Sequence, residues 1–555
     1  MANEYRVIGP PGAGKTTFVK DQVRKWCDEI YNPADFLLTS FTRAAAVELA
    51  GRIEMPRGSV GTLHAICYHA LDRPEIAEPG PLAKEWNASA IPNNWRIGKP
   101  SASLEEGLSD TEVGSMLATY THARSALLPP KHPAWELTKA FVKRWEAFKQ
   151  ETESVDFTDL LTRGCDELVT PPGDPRILMI DEAQDLTPLQ WNLANLWSES
   201  VDRYVVVGDP AQCLYGFLGA SPDALLSPLD ASRQRLLGTN GTYRMPRSIH
   251  THAERWLRGH SEPMCEGREY KARDAEGDVR YLGATWKAGM GLPGPWEVYD
   301  QIVSNAGAGK TSMVLASCSY MLNPLIAELR DQGIPFHNPY RRSNGAWNPL
   351  GQAERGETSI LDRVNAFTRP SSKYWGAEAR LWTWGDVARW ASVLQAKGTD
   401  SVFTGHGVRA RLTANAGDPS KSRQVVDMGV DLEPLFKPEA LRGIYGIDLD
   451  WYRVNVLTRY QRGIAYITRV MQRSGPDALR DTPRIIVGTG HSVKGGQADC
   501  VYIWPDLSTS AWRDQLEHGV RGHDAMIRLG YVMMTRAREQ LVILSPTNPR
   551  LSMDL

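Results

Sequence analysis

Short apolar runs alternate with amphipathic stretches along both ends of the chain. Tyr5 to Ile8 reads as a strand, and Thr17 to Ile30 follows with helical periodicity. Phe36 to Thr39 is a second strand running into a helix from Ala44 to Ile53, and a third short strand ends at Val60-Gly61-Thr62-Leu63-His64. Ile177 to Ile180 and Tyr204 to Val207 repeat the apolar strand pattern, with a helix beginning near Thr187. Strands that alternate with helices in this way predict an α/β fold with doubly wound parallel sheets. Residues 72–150 break the rhythm with Pro-rich turns and a helical stretch near Trp135 to Gln150, so they read as an inserted, mainly helical subdomain. A second α/β region opens with a strand at 313–317 and a helix from about Pro324 to Asp331. Long helical stretches with clustered tryptophans, Trp375, Trp382, Trp384 and Trp390, then run to about residue 475, and that cluster is read as the core of a small helical domain. Short strands return at Ile485 to Val487, Val501 to Trp504 and Leu541 to Leu544. The expected division is 1–70 with 151–230, an insertion at 71–150, 231–336 with 476–555, and an insertion at 337–475.

One helix of the second insertion, Val456 to Arg473, is strongly two-sided. Arg459, Arg462, Arg469 and Arg473, with Tyr466, fall on one stripe; Tyr460, Ile464, Ile467 and Met471 fall opposite. The arginine stripe is either a solvated face or a grip on phosphates.

Chemistry enters at the first strand–helix junction. Gly9-Pro10-Pro11-Gly12-Ala13-Gly14-Lys15-Thr16-Thr17 has the spacing of a phosphate-binding loop in its proper context. Glycines let backbone N–H groups and a helix N-terminus converge on phosphate oxygens. Lys15 would reach the β- and γ-phosphates of a nucleoside triphosphate, and the Thr16 hydroxyl would sit on Mg²⁺. The strand Ile177 to Ile180 ends on Asp181-Glu182-Ala183-Gln184-Asp185. There Asp181 is expected to hold the Mg²⁺ shell and Glu182 to orient and deprotonate water. Gln212, at the next strand end, is placed to sense the γ-phosphate; Tyr215 and Phe217 behind it are either base-stacking or core residues. Ala306-Gly307-Ala308-Gly309-Lys310-Thr311 only looks like a second phosphate loop, because Ser304 replaces the first glycine and the strand follows the motif.

Taken together, these motifs resemble those of the UvrD/Rep-type superfamily 1A helicases. Phe41-Thr42 with Ala45, Ala46 and Glu48, Gly61-Thr62-Leu63-His64, and Asp156-Phe157-Thr158-Asp159-Leu160-Leu161 resemble successive family elements. So do Gly208-Asp209-Pro210-Ala211-Gln212 with Tyr215, Thr242-Tyr243-Arg244, Thr489-Gly490-His491-Ser492-Val493-Lys494-Gly495-Gly496-Gln497 and Tyr531 to Arg538. The resemblance implies two RecA-like domains, Tyr243 stacked on the adenine, and Arg244 and Arg536 on the γ-phosphate. It also implies strand contacts from Phe41, Thr42, Thr62, His64, Tyr215, Phe217, Thr489 and His491. The expected activity is ATP-dependent, 3′-to-5′ translocation on single-stranded DNA with separation of duplexes. A nucleotide-gated clamp or loading factor and a small-molecule kinase are the rival readings. Departures are Gln497 for a usual Glu, Leu218 for Arg and Ala44 for Lys, with eight residues before Gly9 where an adenine-recognition segment is usual.

Composition narrows the rest. At 555 residues with 42% hydrophobic and 23% charged positions, the chain is globular and long enough for several domains. A net charge of −2 gives no overall basic field, so any nucleic acid must be met by a locally lined channel. Seven cysteines without a C-x-x-C pair argue for reduced thiols and a cytoplasmic location, against disulfides or zinc. A monomer working on single-stranded or partly duplex DNA, with accessory replication or repair proteins, is the expected assembly.

Overall fold

The computed structural model describes residues 4–41, 46, 55–56, 58–78, 80–97, 116–261, 264, 270–287, 294–341, 347–351, 358–398, 400–509, 511–513 and 519–555. Thr42, Ala44, Ala45 and Glu48, with the expected helix Ala44 to Ile53 apart from Ala46, lie outside the described residues. Packing divides the chain into two units: 1–285 with 315–319 and 489–555, and 286–314 with 320–488.

In order, the strands are β1 (Glu4–Ile8), β2 (Phe36–Ser40), β3 (Val60–Gly61), β4 (Glu75–Ile76), β5 (Ser154–Val155), β6 (Ile177–Asp181), β7 (Arg203–Gly208), β8 (Gln234–Leu236), β9 (Asp278–Leu282), β10 (Ser312–Ala316), β11 (Ile485–Thr489), β12 (Ala498–Ile503) and β13 (Ala537–Leu544). The first sheet has the order β3-β2-β6-β7-β1-β8, and every pairing in it is parallel. A second sheet has the order β11-β10-β12-β13-β9, and β12–β13 and β13–β9 are parallel. The fold is therefore α/β with two doubly wound parallel sheets, as the alternation of strands and helices predicts.

The central strands β2, β6 and β7 are apolar on both faces because helices cover both. Phe36, Leu38, Ile177, Met179, Val205 and Val207 meet Val19 and Val23 of the helix Lys15–Glu29. Leu37, Leu178, Ile180 and Val206 meet residues of the helices Leu63–Ala70, Phe157–Glu167 and Pro188–Ser198 on the other face. Each such side chain, fully buried, contributes roughly 1.5–3 kcal/mol.

The third strand ends earlier than its sequence suggests. Thr62 leaves β3 and its Oγ1 accepts from Ala65 N, so Leu63 and His64 open a helix. That cap satisfies a helix N-terminal donor, which outweighs the extended preference of the preceding residues.

Residues 71–150 carry the helices Gly80–Ala88, Met116–Ser125 and Pro133–Glu151 around Trp86, Tyr120, Phe141 and Trp145. Asp156 ties them to the helix Phe157–Glu167. It caps that helix through Asp159 N, takes both oxygens to Arg124 Nη1 at 2.9 Å, and accepts from Lys149 Nζ at 2.9 Å and Trp145 Nε1 at 3.1 Å. The two cations hold this buried carboxyl below the usual carboxylate range, although burial by itself would raise it.

In the second unit, Trp382 and Trp390 are fully buried against Phe367, with Tyr452 stacked on Phe367 at 4.5 Å between ring centres. The helix Thr458–Ser474 buries Ile464, Ile467 and Met471, but Tyr466 belongs to that buried side too, its hydroxyl donating to Ile334 O at 2.9 Å. Arg469 pairs with Asp331 at 2.9 Å and Arg473 reaches Gln332 O, so these stripe arginines hold the neighbouring turn. The look-alike loop around Gly309 is the turn between the helix Trp296–Gly307 and β10.

Candidate active site

The site lies in the first unit, at the carboxyl ends of the parallel strands, where α/β sheets bind ligands. β1 delivers the loop. Gly9 N donates to Gly208 O at 3.0 Å, and Gly14, at φ 83°, starts the helix Lys15–Glu29 with no side-chain cap. The first-turn N–H groups are thus left for an anion. Gly12, at φ 74°, admits no side chain, since a Cβ would come within 2.6 Å of Arg244 Cβ. Lys15 is buried; its Nζ donates to Gly9 O at 3.0 Å and lies 3.8 Å from Glu182 Oε1. Thr17 is exposed on the first turn.

β6 delivers the carboxylates. Asp181 Oδ2 lies 3.4 Å from Thr16 Oγ1, and Asp181 Oδ1 accepts from Glu182 N at 2.9 Å. Glu182 takes a left-handed backbone, φ 55°, a strained geometry for a side-chain-bearing residue and one common at functional sites. Burial and the neighbouring Glu182 raise the Asp181 carboxyl. Burial would raise Glu182 as well, but Lys15 and Lys494 hold it low and ionised, as a water-orienting base requires.

Glu182 begins a chain of hydrogen bonds that ends on a basic residue from the far end of the sequence. Gln184 Nε2 donates to Glu182 Oε2 at 2.5 Å, and Asp209 N donates to Gln184 Oε1 at 2.9 Å. Gln212 Nε2 donates to Asp209 Oδ2 at 2.7 Å, and Arg536 Nη2 donates to Gln212 Oε1 at 3.1 Å. Arg244 stands alongside, with Nε on Gln497 Oε1 at 3.2 Å and Nη1 on Thr535 O at 3.4 Å. Tyr243 N donates to Gly12 O at 2.9 Å, while its ring lies beside Gly14 and is 80% exposed, free to meet a base.

Lys494 lies within the motif Thr489 to Gln497, but nothing local in the sequence marks its role. Its Nζ pairs with the fully buried Asp185, donates to Gln212 O at 2.8 Å, lies 3.8 Å from Glu182 Oε2 and sits 5.5 Å over the Tyr215 ring. Asp185 is raised to about 6 by burial, against the pull of Lys494. Replacing Lys494 by Met is expected to destabilise the chain by about 3–5 kcal/mol in urea unfolding, because it strands a buried charge. Asp185→Asn in the same chain should recover most of that loss; no recovery would mean the pair is not what matters.

Arg528 is a second omission. Its Nε donates to Cys213 O at 2.9 Å and its Nη1 faces His260 Nε2 at 2.7 Å, so it grips the loop that carries Gln212 from the helix that leads to Arg536. An arginine in the middle of the helix Val520–Met534 gives no local signal of a distant carbonyl.

Aromatic candidates gather beside these groups. Phe41 lies 4.8 Å from Tyr215, Phe217 lies 5.9 Å from Tyr215 and 5.7 Å from His491, and Tyr215 lies 6.4 Å from His491. Tyr215 is the buried hub, with Phe41, Phe217 and His491 half-buried around it. Burial first, then Lys494, lowers His491 to about 4, so the ring stacks as a neutral imidazole. His122 Nδ1 contacts Phe217 O at 3.0 Å, bringing the first helical insertion to the cluster. His64 stands edge-on to Phe157 at 6.4 Å and is lowered to about 4 by burial. The hydroxyls of Thr62 and Thr489 are engaged locally, Thr62 as a cap and Thr489 with Ser492 N at 3.3 Å.

Among the described residues no group of three or more His, Cys, Asp or Glu is placed to hold a metal. Mg²⁺ keeps several waters and takes one or two carboxylates plus phosphates, and the Thr16 hydroxyl 3.4 Å from the Asp181 carboxylate fits that demand. Thr16 and Asp181 are the side chains that would hold it, and it would supply charge neutralisation at the phosphates.

Residues 1–231 match the family model of the UvrD/REP helicase N-terminal domain. That match covers less than half of the chain, and over it the chain is similar to the UvrD/REP helicases. The chain is 25% identical over 258 residues to "ATP-dependent DNA helicase UvrD2" of Mycobacterium tuberculosis, a match covering 40% of this chain and 36% of that protein. It is 24% identical over 253 residues to "ATP-dependent DNA helicase PcrA" of Leuconostoc citreum, covering 40% of this chain and 32% of the relative. A 123-residue segment is 31% identical to "RecBCD enzyme subunit RecB" of Mycolicibacterium smegmatis, covering 20% and 11%. The matched part thus spans about a third of the length of the two helicase relatives. Every group of the candidate site up to Gln212 falls inside the UvrD/REP match, whereas Arg244, Lys494 and Arg536 lie beyond it. No described helix is long and apolar enough to cross a membrane.

Proposed function

We propose that this chain hydrolyses ATP with Mg²⁺ to drive 3′-to-5′ movement along single-stranded DNA and to separate duplexes. In this reading 1–70 with 151–230 and 231–336 with 476–555 act as RecA-like domains, and 71–150 and 337–475 as helical insertions. Lys15 and Thr16 take the phosphates and metal, Asp181 the metal shell, and Glu182 the attacking water. With nucleotide bound, Arg244 and Arg536 exchange Gln497 and Gln212 for the γ-phosphate. Loss of that anion after hydrolysis returns them, which supplies the two states that a motor needs.

One observation carries the reading. Lys494 touches the chemistry and the candidate strand contacts at once, being 3.8 Å from Glu182 and 5.5 Å over the Tyr215 ring. A strand that stacks on Phe41, Phe217 and His491 displaces the turn 489–494 and with it the cation beside the general base. Hydrolysis without a strand is then slow, and strand binding accelerates it.

The test pairs two assays on the full chain. Single-stranded DNA should stimulate ATP hydrolysis at least tenfold, about 1.4 kcal/mol of barrier, and a duplex with a 3′ single-stranded tail should be opened where one with a 5′ tail is not. Stimulated hydrolysis without strand displacement would favour a clamp; hydrolysis indifferent to DNA would overturn the motor altogether.

A further inference from the structure

The hydrolytic site contains a polar group that no motif points to. Along β2 and β6 the side chains alternate between two cores. Phe36, Leu38, Ile177 and Met179 pack with Val19 and Val23 of the helix that begins at Lys15. Leu37, Leu178 and Ile180 pack on the opposite face, where Phe41 joins them. Ser40 and Asp181 continue the first series, and they are registered partners in the parallel β2–β6 ladder. Successive side chains in a strand point to opposite faces, and registered neighbours in a parallel ladder share a face. The Ser40 hydroxyl therefore stands beside the Asp181 carboxylate at the strand ends. Both lie under the first turn of the helix, where Thr16 Oγ1 is 3.4 Å from Asp181 Oδ2.

Ser40 is 2% exposed, and its Oγ has no hydrogen-bond partner. Leaving a buried hydroxyl unmade costs roughly 1–3 kcal/mol, and one that stands beside a candidate metal ligand offers its open acceptor to what arrives with the ligand. Thr39 supplies a contrast within the same strand. Its hydroxyl is also buried and unpartnered, but it stands on the other face, away from Thr16 and Asp181.

We propose that Ser40 is a positioning residue for the hydrated metal of the nucleotide: a metal-bound water donates to Ser40 Oγ, orienting the shell between Thr16 and Asp181. This rests on the ATPase reading above. The protein offers the metal few direct ligands, so hydrogen bonds to its waters carry much of the orientation. Outer-shell partners of this type are worth about 10–100-fold in metal affinity.

Mn²⁺ is a paramagnetic probe whose free form is counted directly by electron paramagnetic resonance. The full chain is titrated with Mn²⁺ in the presence of a non-hydrolysable ATP analogue, and the affinity of the analogue is measured separately in EDTA. Ser40→Ala should weaken Mn²⁺ binding by about tenfold and leave analogue affinity in EDTA unchanged. Ser40→Thr, which keeps the hydroxyl, should restore metal affinity, and Thr39→Val should leave it at the wild-type value. The melting temperature of Ser40→Ala should not fall, because the substitution removes an unpartnered polar atom. Wild-type Mn²⁺ affinity in Ser40→Ala, or equal weakening in Thr39→Val, would overturn the proposal. A wild-type chain that binds neither the analogue nor Mn²⁺ would overturn the nucleotide site itself, and the Ser40 role with it.

Discussion

Replacing Lys15 with alanine is expected to lower DNA-stimulated ATP turnover by about 10²–10³-fold while the fold survives. The magnitude follows from removing one preorganised charge at the place where phosphate charge develops, a loss of roughly 2.7–4 kcal/mol. Survival of the fold follows from the neighbours. Lys15 donates to Gly9 O and lies 3.8 Å from Glu182, and Glu182 keeps Lys494 and Gln184 when Lys15 is gone. No buried carboxylate is stranded, so the melting temperature should move by only a few degrees. Phosphate release measured with saturating single-stranded DNA, alongside thermal unfolding, checks both halves. Undiminished turnover in the variant would remove the phosphate loop from the account.

Much of this site was legible because its chemistry is carried by contiguous residues. The phosphate loop between Tyr5–Ile8 and an amphipathic helix, and the carboxylates ending Ile177–Ile180, announce themselves by local period and spacing. Both sheets and most of their strands followed from the same periodicity; the edge strands β8 and β9 carry too weak an apolar pattern to be read that way. What stayed hidden depends on partners far away in sequence. Lys494 reads as one basic residue in a glycine-rich turn until it meets Asp185, 309 residues earlier. Arg528 likewise acts on Cys213, 315 residues earlier. Asp156 looks like an ordinary helix cap, yet it also collects Arg124 and Lys149 from the inserted helices. Tyr466 misled for a related reason: a hydroxyl marks it as polar, but a carbonyl from another element, Ile334 O, lets it be buried. The strand end at Leu63-His64 failed locally, since a threonine cap can turn a chain from strand to helix within one residue.

Arg536→Ala should separate binding from chemistry more sharply than any other change. In the proposed γ-phosphate role it would act on charge that grows in the transition state, and such arginines are worth about 10³–10⁵ in turnover. Nucleotide affinity should change by only a few-fold, since the phosphate loop and Tyr243 keep their contacts. The competing account is that Arg536 is purely architectural. It is 1% exposed, and besides Gln212 it donates to Val532 O at 2.8 Å, Gly496 O at 3.4 Å and Thr535 Oγ1 at 3.0 Å. Deleting it leaves these acceptors short of a donor, and each buried one costs roughly 1–3 kcal/mol. Two measurements tell the accounts apart. Urea unfolding gives the stability loss, and turnover measured well below the unfolding midpoint gives the chemical loss in folded protein. Arg536→Lys sharpens the comparison, since an ammonium restores charge but not the planar fork that spans Gln212 and Gly496. If the guanidinium serves the γ-phosphate, lysine should recover part of the turnover while nucleotide affinity stays level across all three proteins. If it is only a brace, stability should fall while turnover and affinity of the folded protein stay near the wild-type values, and the second γ-phosphate contact would have to be sought elsewhere.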